Sequence, residues 1–249
     1  MNSKSNKWKA PELPATIDHG DMPGDKVSIS GEHIKKSEII FPVLAEKLEK
    51  SFKENPFGKT VISIYGGSGV GKSEIASVLA YFLKEQGIKG YILSGDNYPH
   101  RIPEYNDAER LRIFREEGYD ALCAYLGSEK ECNFTEVNDI IRQFKKGAEH
   151  IWMKRMGRRP EELWYELVDV KETQVLLIEW THGNNALLSG IDVPVFLFST
   201  PEETLAHRKK RNRDKQTDSP FTTLVLTAEQ TLLESQAEKA AIILSKDGT

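Results

Sequence analysis

Short apolar runs rich in β-branched residues alternate with helical stretches along most of the chain. Five of these runs predict buried strands, at residues 60–65, 91–93, 175–178, 193–198 and 241–244. After the first run, apolar residues recur at helical spacing until Gly87. Strands that alternate with helices predict an α/β fold, here a five-stranded parallel sheet with helices on both faces.

The N-terminal stretch differs from the rest. Residues 1–36 are rich in Pro, Gly, Lys and Asp and show no sustained periodicity, which predicts an extended arm. A helical stripe that includes Ile40, Leu44 and Leu48 begins after Ser37, and we expect Pro42 near the first turn of that helix. The pattern therefore predicts an arm over 1–36 and one domain over 37–249.

A long interval separates the second and third predicted strands. It spans roughly eighty residues, more than one crossover helix needs. Within it, Asn106 and Asn133 are each followed three residues later by Glu, which is the pattern of a helix-capping box. We expect a helical insertion over 100–170 above the carboxyl edge of the sheet, where α/β proteins bind substrates.

Composition narrows the class of protein. The chain has 249 residues, of which 39% are hydrophobic, enough for a real core, and a net charge of −4 argues against a nucleic-acid partner. It lacks a run of eighteen apolar residues and an apolar signal-peptide core, so we expect a cytoplasmic protein without a membrane span. Cys123 and Cys132 match no metal or redox spacing.

The strongest motif follows the first predicted strand and opens the first helix after it. It fits G-x-x-x-x-G-K-[ST] at every position: Gly66, Gly67, Ser68, Gly69, Val70, Gly71, Lys72 and Ser73. Glycines let successive N–H groups turn inward around a phosphate, the lysine reaches the β and γ phosphates, and the serine hydroxyl binds Mg²⁺. Together with Glu74, this loop predicts a site for ATP or another nucleoside triphosphate.

A polar segment follows the second predicted strand, SGDNYPHR, over residues 94–101. Asp96 is placed to accept a proton from an attacking hydroxyl, Arg101 to clamp a substrate oxygen, and His100 to donate to a hydroxyl. An Asp-Asn turn before a proline is the structural alternative. We favour catalysis at Asp96.

The third predicted strand also ends in a carboxylate, Glu179. We expect it to hold Mg²⁺ or to orient the acceptor, so Ser73, Glu179 and Asp96 are the candidate metal ligands. A buried strand that happens to end in an acid is the alternative. His182 and Asn184 follow at the same edge and are predicted substrate contacts, although a loop histidine with satisfied hydrogen bonds remains open for His182.

These motifs resemble a known group of enzymes. The phosphate loop, Asp96 after the second strand and a helical insertion resemble the P-loop small-molecule kinases of the uridine kinase and phosphoribulokinase group. That resemblance implies that Asp96 is the base for the acceptor hydroxyl. The segments GDNYPHRIP and LIEWTHGN are most similar to the sucrose kinase domain of some bacterial α-galactosidases. The GDN segment also resembles adenylylsulfate kinases, although their Phe-Ser-Pro segment is not matched here.

The resemblance also gives a role to the basic segment after the fourth strand. In such kinases this region is a lid whose arginines close over the phosphates, which implies a lid at 201–220 and candidates at Arg208, Arg211 and Arg213. A solvated charged face is the alternative. A second basic group precedes the third strand, and we expect its side chains to be exposed to solvent: Lys154, Arg155, Arg158 and Arg159.

The sequence therefore predicts a Mg·ATP-dependent kinase with catalytic residues Asp96, Lys72, Glu179, Arg208 and Arg211. The expected acceptor is a small polar molecule, first a sugar or polyol such as sucrose or an inositol. Two alternatives stay open: a nucleoside or adenylylsulfate kinase, and a nucleotide-hydrolysing switch or regulatory module. A homodimer is also left open.

Overall fold

The computed structural model describes residues 8–211 and 219–245, without the side chains of residues 210 and 211. In chain order, the helices and strands of these residues are α1 (Gly31–Glu54), β1 (Thr60–Gly66), α2 (Lys72–Glu85), β2 (Gly90–Ser94), α3 (Pro103–Glu117), α4 (Tyr119–Tyr125), α5 (Phe134–Lys145), β3 (His150–Met156), β4 (Leu163–Asp169), β5 (Val175–Glu179), β6 (Val193–Leu197), α6 (Pro201–Arg211), α7 (Pro220–Ser235) and β7 (Ile242–Leu244).

The main sheet has five parallel strands in the order β2-β5-β1-β6-β7. Each strand predicted from the sequence is one of them, which confirms the predicted fold class. Register places Glu179 of β5 opposite both Ile64 of β1 and Ser94 of β2. The carboxyl ends of these three strands therefore meet at one edge of the sheet, which is where parallel sheets bind ligands.

The sheet is covered on both faces, which explains why its strands are continuous apolar runs. On one face, Ile62 and Ile64 of β1 pack in a cluster with residues of α1 and α2 such as Leu44 and Leu79. On the other face, Val61 belongs to a cluster with α5 and the β3–β4 hairpin. These side chains are fully or almost fully buried.

The first helix is longer than predicted. It begins at Gly31, after Ser30 as the N-cap, and it contains Pro42 in its interior rather than in its first turn. The sequence pattern missed residues 31–36 because they are mostly polar, although His33 and Lys36 are buried there. Before this helix, residues 8–30 lie against the main body, and Trp8, Ile17 and other apolar residues of this stretch pack on the core.

The insertion is only partly helical. It contains α3, α4 and α5, but residues 150–169 form an antiparallel hairpin of β3 and β4, so the purely helical prediction was wrong there. The two-residue alternation was hidden because β4 is exposed almost throughout and β3 carries charged residues at buried positions. Trp152 is 60% exposed and Tyr165 is 50% exposed on this hairpin.

The two predicted capping residues have different outcomes. Asn133 is the N-cap of α5, and its side chain accepts a hydrogen bond from the Glu136 amide, as predicted. Asn106 lies inside α3, which begins at Pro103, so its predicted capping role was wrong. Its buried side chain instead donates to Glu131 at 2.9 Å. Pro103 supplies the preset backbone angle that starts the helix.

Across residues 8–211 and 219–245, no helix combines the length and the apolar character that crossing a lipid bilayer requires.

Candidate active site

The phosphate loop connects β1 to α2 at the carboxyl edge of the sheet. Gly69 and Gly71 have φ values of 79° and 95°, a region that side chains with a Cβ rarely enter. Lys72 opens α2, and its Nζ donates to the carbonyls of Gly66 and Gly67, each at 3.0 Å. The ammonium therefore already lies against the loop that would hold an anionic phosphate.

Two serines bind the carboxylate at the end of β5. Ser73 Oγ donates to Glu179 Oε2 at 3.2 Å, and Ser94 Oγ donates to Glu179 Oε1 at 2.6 Å. Burial and the negative charge of Asp96 raise the pKa of Glu179 to about 7, against the opposing effect of the Lys72 charge. A buried carboxylate beside a serine hydroxyl is an oxygen donor set that suits Mg²⁺.

Asp96 lies in a single tight turn, Gly95–Asn97, directly after β2. Its side chain is exposed, whereas both neighbours are buried. A Cβ on Gly95 would lie 1.9 Å from Trp180 Cγ, so only glycine fits against this tryptophan. Asn97 Oδ1 accepts from the Met156 amide at 3.0 Å. The turn is thus held on both sides of an exposed carboxylate, and the structure brings Asp96 near Glu179.

Helix α6 lies beside the phosphate loop and carries Arg208. A Cβ on Gly69 would lie 2.7 Å from Arg208 Cγ, so the arginine packs directly on the loop. Its guanidinium donates to the Pro201 carbonyl at 2.7 Å and to the Thr204 hydroxyl. Burial lowers the pKa of Arg208. The predicted Arg211 side chain and the whole of Arg213 lie outside the described residues.

His33 of α1 also lies against the loop, at Gly71. A Cβ on Gly71 would lie 3.0 Å from the His33 ring. Burial lowers the pKa of His33, and the nearby charge of Glu74 opposes this shift. Glu74 itself is buried in the first turn of α2. Sequence analysis missed His33 because the start of α1 was placed after it.

His182 belongs to a buried polar network that the sequence did not predict. Its Nε2 lies 4.0 Å from Glu131 Oε2. Arg110 of α3 contacts Glu131 at 2.6 Å and Glu229 of α7 at 3.0 Å. Burial lowers the pKa of His182, and its other electrostatic neighbours include Asp96. Arg110 and Glu229 lie 119 residues apart in the chain, so no local motif announces their pairing.

Three other predicted substrate contacts, His100, Arg101 and Asn184, bond to neighbouring groups of the protein. His100 and Arg101 line a cleft of about 560 Å³ beside α3 and α4, and no phosphate-loop residue is part of its lining. His100 Nε2 lies 2.9 Å from the Glu129 carbonyl, and Arg101 donates to the Tyr125 hydroxyl at 3.2 Å. Asn184 is buried and donates to the Tyr65 hydroxyl at 3.0 Å, a placement that favours a structural role.

Two residues of the second basic group are buried, so the predicted exposed surface was wrong for them. Lys154 Nζ donates to the Pro99 carbonyl at 2.9 Å, and Arg155 forms an ion pair with Asp21 at 2.8 Å. Each residue is 5% exposed. Arg158 and Arg159 are exposed as predicted.

Sequence comparison finds one strong similarity, although no family model matches the chain. The chain is 45% identical over 206 residues, or 83% of its length, to the bifunctional α-galactosidase/sucrose kinase of Mediterraneibacter gnavus. The match covers 22% of that protein, so the chain spans about a fifth of the length of this relative. The predicted similarity to a sucrose kinase attached to an α-galactosidase is confirmed.

Solved structures share the architecture at low sequence identity. Phosphoribulokinase from Rhodobacter spheroides has a TM-score of 0.58 and 16% identity, over 76% of this chain and 70% of that chain. A protein assigned as a fructose transport system kinase from Silicibacter sp. TM1040 has a TM-score of 0.55 and 16% identity, over 86% and 97%. The phosphate loop, the strand order and these similarities together show that the chain has the fold of the P-loop kinases.

Proposed function

We propose that the chain is an ATP-dependent kinase that transfers the γ-phosphate to a hydroxyl of a small polar molecule, with a sugar or polyol as the acceptor. One observation carries the proposal. Lys72 and Ser73 of the phosphate loop share a sheet edge with two carboxylates, the buried Glu179 and the exposed Asp96. Phosphoryl transfer needs these elements: cationic groups for the phosphates, oxygen ligands for a metal, and a base for the acceptor.

Neutralisation of phosphate charge falls to Lys72 and Arg208. Lys72 lies against the loop carbonyls and can exchange them for phosphate oxygens without leaving the loop. Arg208 packs on Gly69 and is bonded within its own helix, so turning its guanidinium toward the loop requires only side-chain rotation. The Lys72 charge is held against the loop before the reaction, so it can stabilise the transition state without reorganisation.

Ser73 and Glu179 would hold Mg²⁺ bound with ATP. Their hydroxyl and carboxylate oxygens are of the type that this ion prefers, and both are buried at the mouth of the loop. When bound, Mg²⁺ in such kinases neutralises charge on the β and γ phosphates. Ser94 keeps the Glu179 carboxylate oriented through its 2.6 Å hydrogen bond.

Asp96 is the proposed base. Its exposed carboxylate can meet an acceptor arriving from solvent, while the turn around it is fixed by Gly95 and Asn97. The acceptor hydroxyl would lose its proton to Asp96 as its oxygen attacks the γ-phosphorus, and ADP would leave with the electrons of the broken P–O bond. Asp96 is among the charges that act on the buried His182.

A panel of acceptors tests this function directly. Sucrose is the first acceptor to test, because the relative of 45% identity is a sucrose kinase as well as an α-galactosidase. Sugars, inositols, nucleosides and adenylylsulfate would each be incubated with Mg·ATP and read by mass spectrometry for an added phosphate. We expect phosphorylation of a sugar or polyol. Transfer to a nucleoside or to adenylylsulfate instead would contradict the proposed acceptor class.

Lys72→Ala should abolish the transfer without unfolding the chain, because this charge serves phosphate rather than the core. Lys84→Ala on the same helix is the matched control, since Lys84 is 68% exposed and far from the loop in sequence. ATP hydrolysis that no acceptor accelerates would support a nucleotide-hydrolysing switch and contradict the kinase proposal.

A further inference from the structure

An arm residue, Asp21, reaches the edge of the sheet where the proposed active site lies. Its side chain is 9% exposed. Its Oδ1 accepts from the Ser94 amide at 2.8 Å and from Asn97 Nδ2 at 3.0 Å. Its Oδ2 accepts from the Tyr91 hydroxyl and from Arg155, each at 2.8 Å. One carboxylate thus joins the N-terminal arm, β2, the turn after β2 and the β3–β4 hairpin.

Ser94 and Asn97, which both donate to Asp21 Oδ1, differ in how much their positions depend on this carboxylate. Ser94 is also held by the β2–β5 pairing, in register with Glu179. Asn97 lies beyond the last residue of β2, in a turn outside the strands of the main sheet. Its side chain bonds to Asp21 on one side and to the Met156 amide on the other. The residue before it in the chain is Asp96.

The arm does not need this carboxylate in order to dock. Trp8, Leu13, Ile17 and Ile29 pack against the apolar core beneath the arm. The charge of Asp21 is balanced by Arg155, whose side chain is 6% exposed. Burial raises the pKa of the Asp21 carboxyl, and Arg155 opposes that shift. Burying a carboxylate costs desolvation free energy, and the apolar contacts of the arm do not require it. The four donors that it accepts from do restrain the position of the turn after β2.

The geometry points to Asp21 as a positioning residue for catalysis: through Asn97 it holds the turn that presents the Asp96 carboxylate to the acceptor. This inference rests on the proposed role of Asp96. Acceptor and base must lie within about 3 Å, and a misplacement of about 1 Å can cost about a hundredfold in rate. Asp21 therefore contributes to the proposed active site, although it precedes the phosphate loop in the chain by more than forty residues.

A double-mutant cycle between Asp21 and Asp96 tests the inference on the full chain. Asp21→Ala should lower kcat by about tenfold or more while the KM for ATP changes by less than about twofold. In an Asp96→Asn background the same change should lower kcat by less than about twofold further, because no base remains to be positioned. Asp21→Asn keeps an Oδ1 acceptor for Asn97, so its kcat should exceed that of Asp21→Ala.

Each outcome separates a positioning role from a structural one. For variants that fold, an equal fall in kcat in both backgrounds would overturn the inference, as would an unchanged kcat in Asp21→Ala. If Asp21→Ala does not fold, Asp21→Asn replaces it in the double-mutant cycle with Asp96→Asn. Asp18→Ala is the matched control, since Asp18 is on the same arm and its side chain is 89% exposed. Full activity of Asp96→Asn alone would instead contradict the proposed function.

Discussion

Glu179 shows how one residue can be prepared for a cation by its surroundings. Both of its oxygens accept from serines, and serine hydroxyls carry no charge that would balance a buried carboxylate. Its pKa of about 7 follows from burial first and from the Asp96 charge second. A divalent cation at this position would favour the ionised form of Glu179 and offset the repulsion between the Glu179 and Asp96 carboxylates.

His182 carries a pH dependence of stability at the residue scale. Burial lowers its pKa in the folded chain, with Arg110 acting in the same direction and with Glu131, Glu229 and Asp96 opposing. Below about pH 6.5, the ordinary value, the unfolded chain binds more protons at this site than the folded chain does. The free energy of unfolding should therefore fall as pH falls below about 6.5, and His182→Gln should remove part of that fall.

Urea unfolding at pH 7.5, 6.5 and 5.5, values chosen about the ordinary histidine pKa, measures the effect. His100→Gln is the matched control, because His100 is exposed. Glu131 would lower the free energy of unfolding only at more acidic pH, since its pKa in the folded chain is below the usual 4.5. The same decline in His182→Gln as in the unaltered chain would show that His182 does not set it.

At the scale of elements, the sequence predicts the strands of the main sheet well. β1 and β5 are buried at every position, so each reads as an uninterrupted, mostly apolar run in the sequence. The hairpin of β3 and β4 was missed because Arg155 and Lys154 of β3 bond to Asp21 and Pro99, whereas β4 is exposed at nearly every position. Charged residues there are buried through partners remote in sequence, which local periodicity does not report.

Helix α6 is the element whose function the structure sharpens most. Arg208 lies on the phosphate loop and is bonded only to groups of its own helix among the hydrogen bonds that the described residues make. Arg208→Ala should therefore raise the KM for ATP and lower kcat, by about tenfold or more in kcat/KM, since a lid arginine binds the transferring phosphate. Steady-state kinetics with varied ATP measures both constants.

Lys209→Ala is the matched variant on the same helix, because the Lys209 side chain is exposed. It should leave both constants within about twofold, since a surface charge in water is screened from the loop. If Arg208→Ala has the same KM for ATP and the same kcat as Lys209→Ala, Arg208 does not bind the transferring phosphate, and another residue of the segment must do so.

For the whole molecule, the sequence reveals the parts of the site that depend on short segments. The phosphate loop is a contiguous motif, and Glu179 and Asp96 each follow a recognisable strand, so the fold alone brings them to one edge. Asp21 and the pair Arg110–Glu229 depend on contacts between distant segments and carry no local pattern. His100 and Arg101 follow the same strand and line a cleft whose lining includes no residue of the phosphate loop.

The most direct test of the account is the rate of phosphate transfer by Asp96→Asn at saturating Mg·ATP and acceptor. Asparagine keeps the shape of the side chain and removes the proton acceptor together with its negative charge. We expect kcat to fall by roughly two or more orders of magnitude with nucleotide affinity little changed. Glu179→Gln should instead raise the Mg²⁺ concentration needed for half activity. Near-normal transfer by Asp96→Asn, with activity lost in Glu179→Gln at unaltered Mg²⁺ demand, would contradict the assignment of the two carboxylates.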